Sequence, residues 1–234
     1  MRLLQQAYSD EVWKVWLGAA RAVSIKRSMP SLPLQDAAVW NQRLSGSILS
    51  DIAHVEVALR NVISDFLNRR FCVPEGSLHW LSDETNSLGK IGGIAFRSRV
   101  RDAQASASLG GREPSFDDVI AELSLGFWLN FLSGTYQHLH GDLVTVFVGA
   151  KNRNLRQMRQ VGSRLRNLRN RVAHHHRIIH RDLDVDWRDI VTFANFIDPR
   201  LREFLSQNSS TPGLVAQFNQ IARAECSSSS HEPG

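Results

Sequence analysis

The apolar residues of this chain recur in steps of three and four. From Trp40 they fall at Leu44, Ile48, Ile52, Val55, Leu59, Val62 and Phe66. This single stripe predicts one helix of about seven turns, long for a globular protein. A shorter helix is expected over Asp10 to Ile25, with Val12, Trp16, Ala19, Ala20 and Val23 inward. Pro30 and Pro33 separate the two, because proline cannot continue a helix interior.

Beyond Phe71 the glycines thicken, and a short helix is expected around Ile94 to Ala105. Ser115 reads as an N-cap with Asp117 and Asp118 in the first turn, opening a helix that carries Val119, Leu123, Phe127 and Phe131. Residues Leu143 to Val148 fit a strand or a helix end. A further helix runs from about Leu155 to the histidines, with a core stripe of Leu155, Met158, Val161, Leu165, Leu168 and Val172. A last helix from Trp187 to Leu205 should bend or break at Pro199. The pattern predicts an all-α protein with one domain over residues 1–225, and a disordered tail over 226–234 that contains four serines.

Composition changes this picture little. At 234 residues, with 42% hydrophobic and 22% charged positions, the chain is ordinary globular protein. Its two cysteines, Cys72 and Cys226, are too few for a disulfide scaffold or a Cys-rich zinc module. No apolar run is long enough for a membrane span, and the first residues do not read as a secretory signal. A cytoplasmic protein that does not enter membranes is expected.

Charge changes it more. Lys plus Arg is 28 and Asp plus Glu is 23, a net of +5. Ten basic residues (Lys151, Arg153, Arg156, Arg159, Arg164, Arg166, Arg169, Arg171, Arg177 and Arg181) lie in one stretch of 31 residues that contains no acid. All of the excess positive charge therefore sits there. Nine of the ten are arginine, which can grip a phosphate through two parallel hydrogen bonds. A merely solvated face would mix signs, so a surface facing a polyanion is expected.

The usual phosphate-loop, dinucleotide-binding, zincin and serine-hydrolase signatures are missing from the sequence. What remains is the string from Leu165 through His176, which sets histidines among arginines. RNA cleavage without a metal needs a base for the 2′-hydroxyl, an acid for the leaving 5′-oxygen and cations on the phosphate. Neighbouring arginines should lower a histidine's pKa and favour the neutral base. At about 100° per residue Asn170 and His174 share a face, but Arg169 and His174 point about 140° apart. Either the helix bends or ends near the histidines, or two chains pool their motifs across a two-fold interface.

The run Arg169-Asn170-Arg171-Val172-Ala173-His174 resembles the R-N-x-x-x-H motif of HEPN domains. The wider context is similar to the Abi-like (abortive infection, AbiD/AbiF-type) branch of that family. Three blocks in the family's order carry the likeness: His54 through Asn61, Ala121 through Trp128, and Leu168 through His175. The resemblance implies a helical bundle of HEPN type with additional helices. It implies a dimeric, metal-independent endoribonuclease of phage defence or of a toxin–antitoxin pair, held by a protein or RNA antitoxin, acting on single-stranded or structured RNA and needing no cofactor. Arg169 and His174 match the family's catalytic pair and Asn170 its polar middle position. One departure stands out: His176 and Arg177 occupy the place where Glu-Pro usually follows the paired histidines.

Around that pair, Arg164, Arg166, Arg171, His175 and Arg177 are the expected RNA contacts. Glu56, Arg60 and Asn61 on the long helix are expected either to form a structural ion pair (Glu56 with Arg60) or to support the active-site helix. Trp128 reads as core or dimer interface before it reads as a stacking platform. His176 and His180 are spaced i, i+4, yet the surrounding cations would repel a metal ion, so none is expected. The competing function is a non-catalytic RNA-binding module or a structural interaction domain.

Overall fold

The computed structural model describes residues 9–28, 32–71, 79–81, 87–108, 111, 113–150 and 155–229, with the backbone alone at 28, 87 and 222–229. Among these residues the chain is all-α. The helices are α1 (Asp10–Leu17), α2 (Ala19–Ser28), α3 (Leu34–Phe71), α4 (Ser87–Ala107), α5 (Phe116–Glu122), α6 (Leu125–Asn130), α7 (His140–Leu143), α8 (Leu155–Ala173), α9 (Leu183–Ile197), α10 (Pro199–Asn208) and α11 (Thr211–Ser229). Tighter 3-10 turns span Gly134–Leu139 and Val144–Val146, and no strand occurs among the described residues. No helix among them is long and apolar enough to cross a membrane.

The long helix and the basic helix form as their apolar periods predict. Along α3, Leu44, Ile48, Ile52, Val55 and Leu59 are fully buried. Val62 is only half-buried and Ile63 takes the inward position, because 3.6 residues per turn rotates a long stripe gradually around the axis. Along α8 all six stripe residues from Leu155 to Val172 are buried.

Elsewhere the apolar spacing continues through breaks in the backbone. The helix expected over Asp10 to Ile25 is two helices, divided at Gly18, whose φ of 80° lies in the region glycine alone enters freely. After that break Trp16 and Val23 point outward, while Ala22 and Ile25 are buried. Ser115 caps α5 through a reciprocal capping box with Asp118, as expected. The predicted continuation through Phe131 instead stops at Leu123, and α6 begins after Ser124. Residues 143–148 end a short helix and turn in 3-10 geometry, which resolves that segment as non-strand. Pro199 opens α10 as its first residue, a position where its missing N–H costs nothing. The helix α11 continues through Ser229, into the stretch expected to be tail; Cys72, Lys151, Arg153 and residues 230–234 lie outside the described residues.

The described residues group into two compact units. One lies within Met1–Ile52, Asn167–Ile190 and Leu205–Gly234, the other within Ala53–Arg166 and Val191–Phe204. In the first, buried Asp51 on α3 accepts from Ser209 Oγ (2.8 Å) and from Thr211 Oγ1 (2.5 Å), and Ser47 Oγ lies 2.7 Å from the same threonine hydroxyl. This network ties the start of α11 to α3. Buried Asn41 accepts the backbone N–H of Ile178 at 2.7 Å, and so anchors the segment that follows α8.

The second unit is organised by aromatic rings. Trp80, Phe127, Trp128, Phe131 and Tyr136 are all buried. Trp128 sits edge-on to Phe127 at 5.1 Å and donates its Nε1 to the Leu123 carbonyl at 3.0 Å. Such ring pairs add to the area they bury by about 0.5–1.5 kcal/mol each. Trp128 is therefore a core residue with no face left for a base.

Glycine lets backbone approach backbone at one point in this unit. A Cβ at Gly149 would overlap the Asn195 carbonyl oxygen on α9, whereas one at Gly126 would meet only the side chains of Arg166 (Cδ, 3.4 Å) and Ser124 (Oγ, 3.8 Å). Gly149→Ala is accordingly expected to lower stability by about 2 kcal/mol or more, since main chain must move. Gly126→Ala should be neutral or stabilising. Urea unfolding of the two variants beside the parent measures the contrast.

Candidate functional site

The basic helix α8 stays regular through the motif and ends directly after it. His174 N–H donates to Asn170 O at 3.0 Å, the last i to i−4 bond. His175 N–H then donates to Val172 O at 3.0 Å and His176 N–H to Arg171 O at 2.8 Å. That pair of bonds is a Schellman ending, with His175 in the left-handed position at φ 55° that glycine normally fills. It is the one non-glycine residue with positive φ among the described residues. His174, His175 and His176 are exposed, and the rings of His174 and His176 meet edge-on at 6.2 Å.

Two of the expected RNA contacts serve the protein's own backbone. Half-buried Arg171 donates its Nη2 to the Arg177 carbonyl at 2.9 Å. Arg177, also half-buried, donates to the Ser24 carbonyl on α2. Together with Asn41 they fix the loop 174–178 that carries the histidines. The departure from Glu-Pro thus has a structural counterpart: Arg177 anchors the loop to α2. Arg181 forms a two-pronged pair with buried Asp186, at 2.7 Å and 2.6 Å, so its charge is neutralised internally.

The remaining motif residues stay on α8. Asn170 is exposed on the same face as His174, while Arg169 is half-buried and leaves the helix on its other side. α8 is one continuous helix through Ala173, so the divergence of about 140° that helical geometry sets between Arg169 and His174 stands. Arg164 and Arg166 are exposed, and the Arg166 stem lies along Gly126. Glu56 and Arg60 are half-buried one turn apart on α3, and Arg60 Nε approaches Asn61 Oδ1 at 3.4 Å. These three belong to the second unit and residues 169–177 to the first. The face of α8 that holds Asn170 and His174 also exposes Arg156, Gln160, Ser163 and Asn167. Apolar periodicity does not mark those positions, but its complement does: 18 residues make five turns, which sets Arg156 in line with His174.

His180, beyond the motif, has a lowered pKa. Burial lowers its pKa first, then the charges of Arg177, Arg171 and Arg181, against a smaller raising effect of Asp186. No group of three or more His, Cys, Asp or Glu among the described residues is arranged to hold a metal ion.

Two measurements follow from this geometry. His175→Gly should stabilise the fold by about 1 kcal/mol, because it removes the Cβ penalty at the left-handed cap; urea midpoints test this. His180 should titrate below the usual 6.5. The unfolded chain then binds more protons in the interval just beneath that value, so stability is lost as the pH falls through it. His180→Gln should flatten that part of the stability–pH curve.

No family model, no curated protein and no solved structure matches the chain, so a functional reading rests on these residues and on the resemblance of their motif.

Proposed function

We propose that the protein is a metal-independent endoribonuclease of the Abi-like HEPN type, working as a homodimer on RNA in phage defence or as the toxin of a toxin–antitoxin pair. The observation that carries this reading is the exposed His174 at the end of an arginine-rich helix that contains no acid. In the reaction the 2′-oxygen attacks the adjacent phosphorus and the bond to the 5′-oxygen breaks. His174 takes the proton of the 2′-hydroxyl or supplies one to the leaving oxygen. Arg169 balances the charge gathering on the phosphate, and Asn170 positions the phosphate or the imidazole. The products are a 2′,3′-cyclic phosphate and a 5′-hydroxyl.

Helical geometry sets Arg169 about 140° away from His174, and this favours pooling of the two across a two-fold axis. The same separation supports the second reading, a non-catalytic RNA-binding module, if a single chain acts alone.

RNA cleavage in EDTA distinguishes these readings. The native chain should cut, and both Arg169→Ala and His174→Ala should lose at least about a hundredfold in rate. Mixing the two inactive variants should restore about a quarter of native activity, because half of the dimers then hold one intact site. RNA retained on a filter with no cleavage by the native chain would favour the binding module.

A further inference from the structure

The exposed half of α8 has an order that the cleavage motif does not account for. Take the direction of His174 as zero and about 100° per residue. Arg156, Gln160, Ser163, Asn167 and Asn170 then all fall within about 40° of it. Arg159 and Arg166 lie about 60–80° to one side, and Arg164 and Arg171 about 60–80° to the other. A ridge of uncharged hydrogen-bonding side chains, flanked by arginines, therefore runs about 21 Å from Gln160 to His174. No carboxylate occurs anywhere on the helix.

Helix stability does not explain the ridge. Serine and asparagine are indifferent helix formers, and an exposed face chosen for stability would carry Ala, Glu or Lys. Among the described residues Gln160, Ser163 and Asn167 are exposed and make no side-chain hydrogen bond within the protein. At Ser163, Asn167 and Asn170 a local rule is broken along one line of the helix with no structural return, and that pattern marks function.

We propose that this ridge is a base-reading track for unpaired RNA leading to His174, in which Gln160, Ser163 and Asn167 set sequence preference and the flanking Arg159 and Arg166 hold phosphates. The proposal rests on the ribonuclease reading for the polymer. An amide offers a donor and an acceptor side by side, which matches the exposed edge of an unstacked base. An A-form duplex is a poor occupant, because its major groove is too deep and narrow for a helix. The major groove of B-DNA would admit α8. RNA is favoured because the track ends at an imidazole, and RNA carries the 2′-hydroxyl that an imidazole can activate without a metal.

Binding is measured in the His174→Ala background, so that the probe survives, using short unpaired homopolymers of A, C and U, an RNA duplex and a DNA duplex. The parent should prefer one homopolymer by about tenfold or more, the worth of about one well-made base contact. Replacing Gln160, Ser163 and Asn167 by alanine together should reduce that preference to about threefold or less with the salt dependence unchanged. Arg159→Ala with Arg166→Ala should keep the preference and lower the salt slope by about 1.4. These positions are exposed and alanine favours helix, so thermal melting should be unaffected.

A preference that survives the triple replacement overturns the track. So does a parent without preference, DNA duplex bound as tightly as unpaired RNA, or no RNA bound at all. If the chain with native His174 still cleaves RNA in EDTA in any of these cases, the ribonuclease reading stands and only the track is lost.

Discussion

Leu155, Met158, Val161, Leu165, Leu168 and Val172 are all withdrawn from water on one side of α8, and each is worth about 1.5–3 kcal/mol of burial. A helix turns about 100° per residue, so burying that stripe fixes the direction of every other side chain on the element. Rotating the helix by one residue would expose about half of the stripe and bury arginines. The directions of Asn170 and His174, the half-burial of Arg169 and the outward ridge of amides are consequences of this one packing constraint. The end of the helix is set separately, by the backbone bonds of His175 and His176 and by the anchors Asn41 and Arg177.

The same burial allows α8 to carry charges of one sign. Its six arginines include the i, i+3 pairs Arg156–Arg159 and Arg166–Arg169, with no acid on the helix to offset them. Like-charged neighbours of this kind cost about 0.2–0.5 kcal/mol each, far less than the apolar face returns. The contrast with Arg181 is instructive. Where an arginine serves the fold, the chain provides buried Asp186 at 2.6–2.7 Å. Along α8 itself the sequence provides arginines and no acid.

Much of the fold was legible because a few segments obey one strong rule. The α3 and α8 stripes follow the helical period, and the capping box of Ser115 and Asp118 follows from serine set before an acidic first turn. The misreadings differ in cause. Apolar spacing ran on through Leu123–Ser124 because α5 and α6 both bury apolar residues, whereas α1 buries none and the spacing of Val12 and Trp16 before Gly18 marked no core face. Gly18 could have been flagged by its identity, whereas the break at Ser124 depends on Trp128 taking the Leu123 carbonyl, a contact formed only in the folded core. At the candidate site, the arginines were legible as charge but not as structure. Which of them face outward and which fasten the histidine loop depends on Ser24 and on the Arg177 carbonyl. Neither position has a sequence signature.

The location of His174 adds an electrostatic requirement. Anion sites commonly exploit helix N-termini, where free N–H groups and the dipole attract phosphate. His174 lies at the opposite pole, where the negative end of the dipole repels an anion and favours a cation. A phosphate brought there must be held by charges that outweigh that field. Within one chain the nearby guanidinium groups are partly committed, Arg171 to the Arg177 carbonyl and Arg177 to α2. Arg169 leaves the helix on the far side. The positive charge must then arrive along the ridge, from Arg164 and Arg166, or across a two-fold axis from a second α8. A phosphate proposed for this pole would therefore need an arginine-flanked approach or a second chain to hold it.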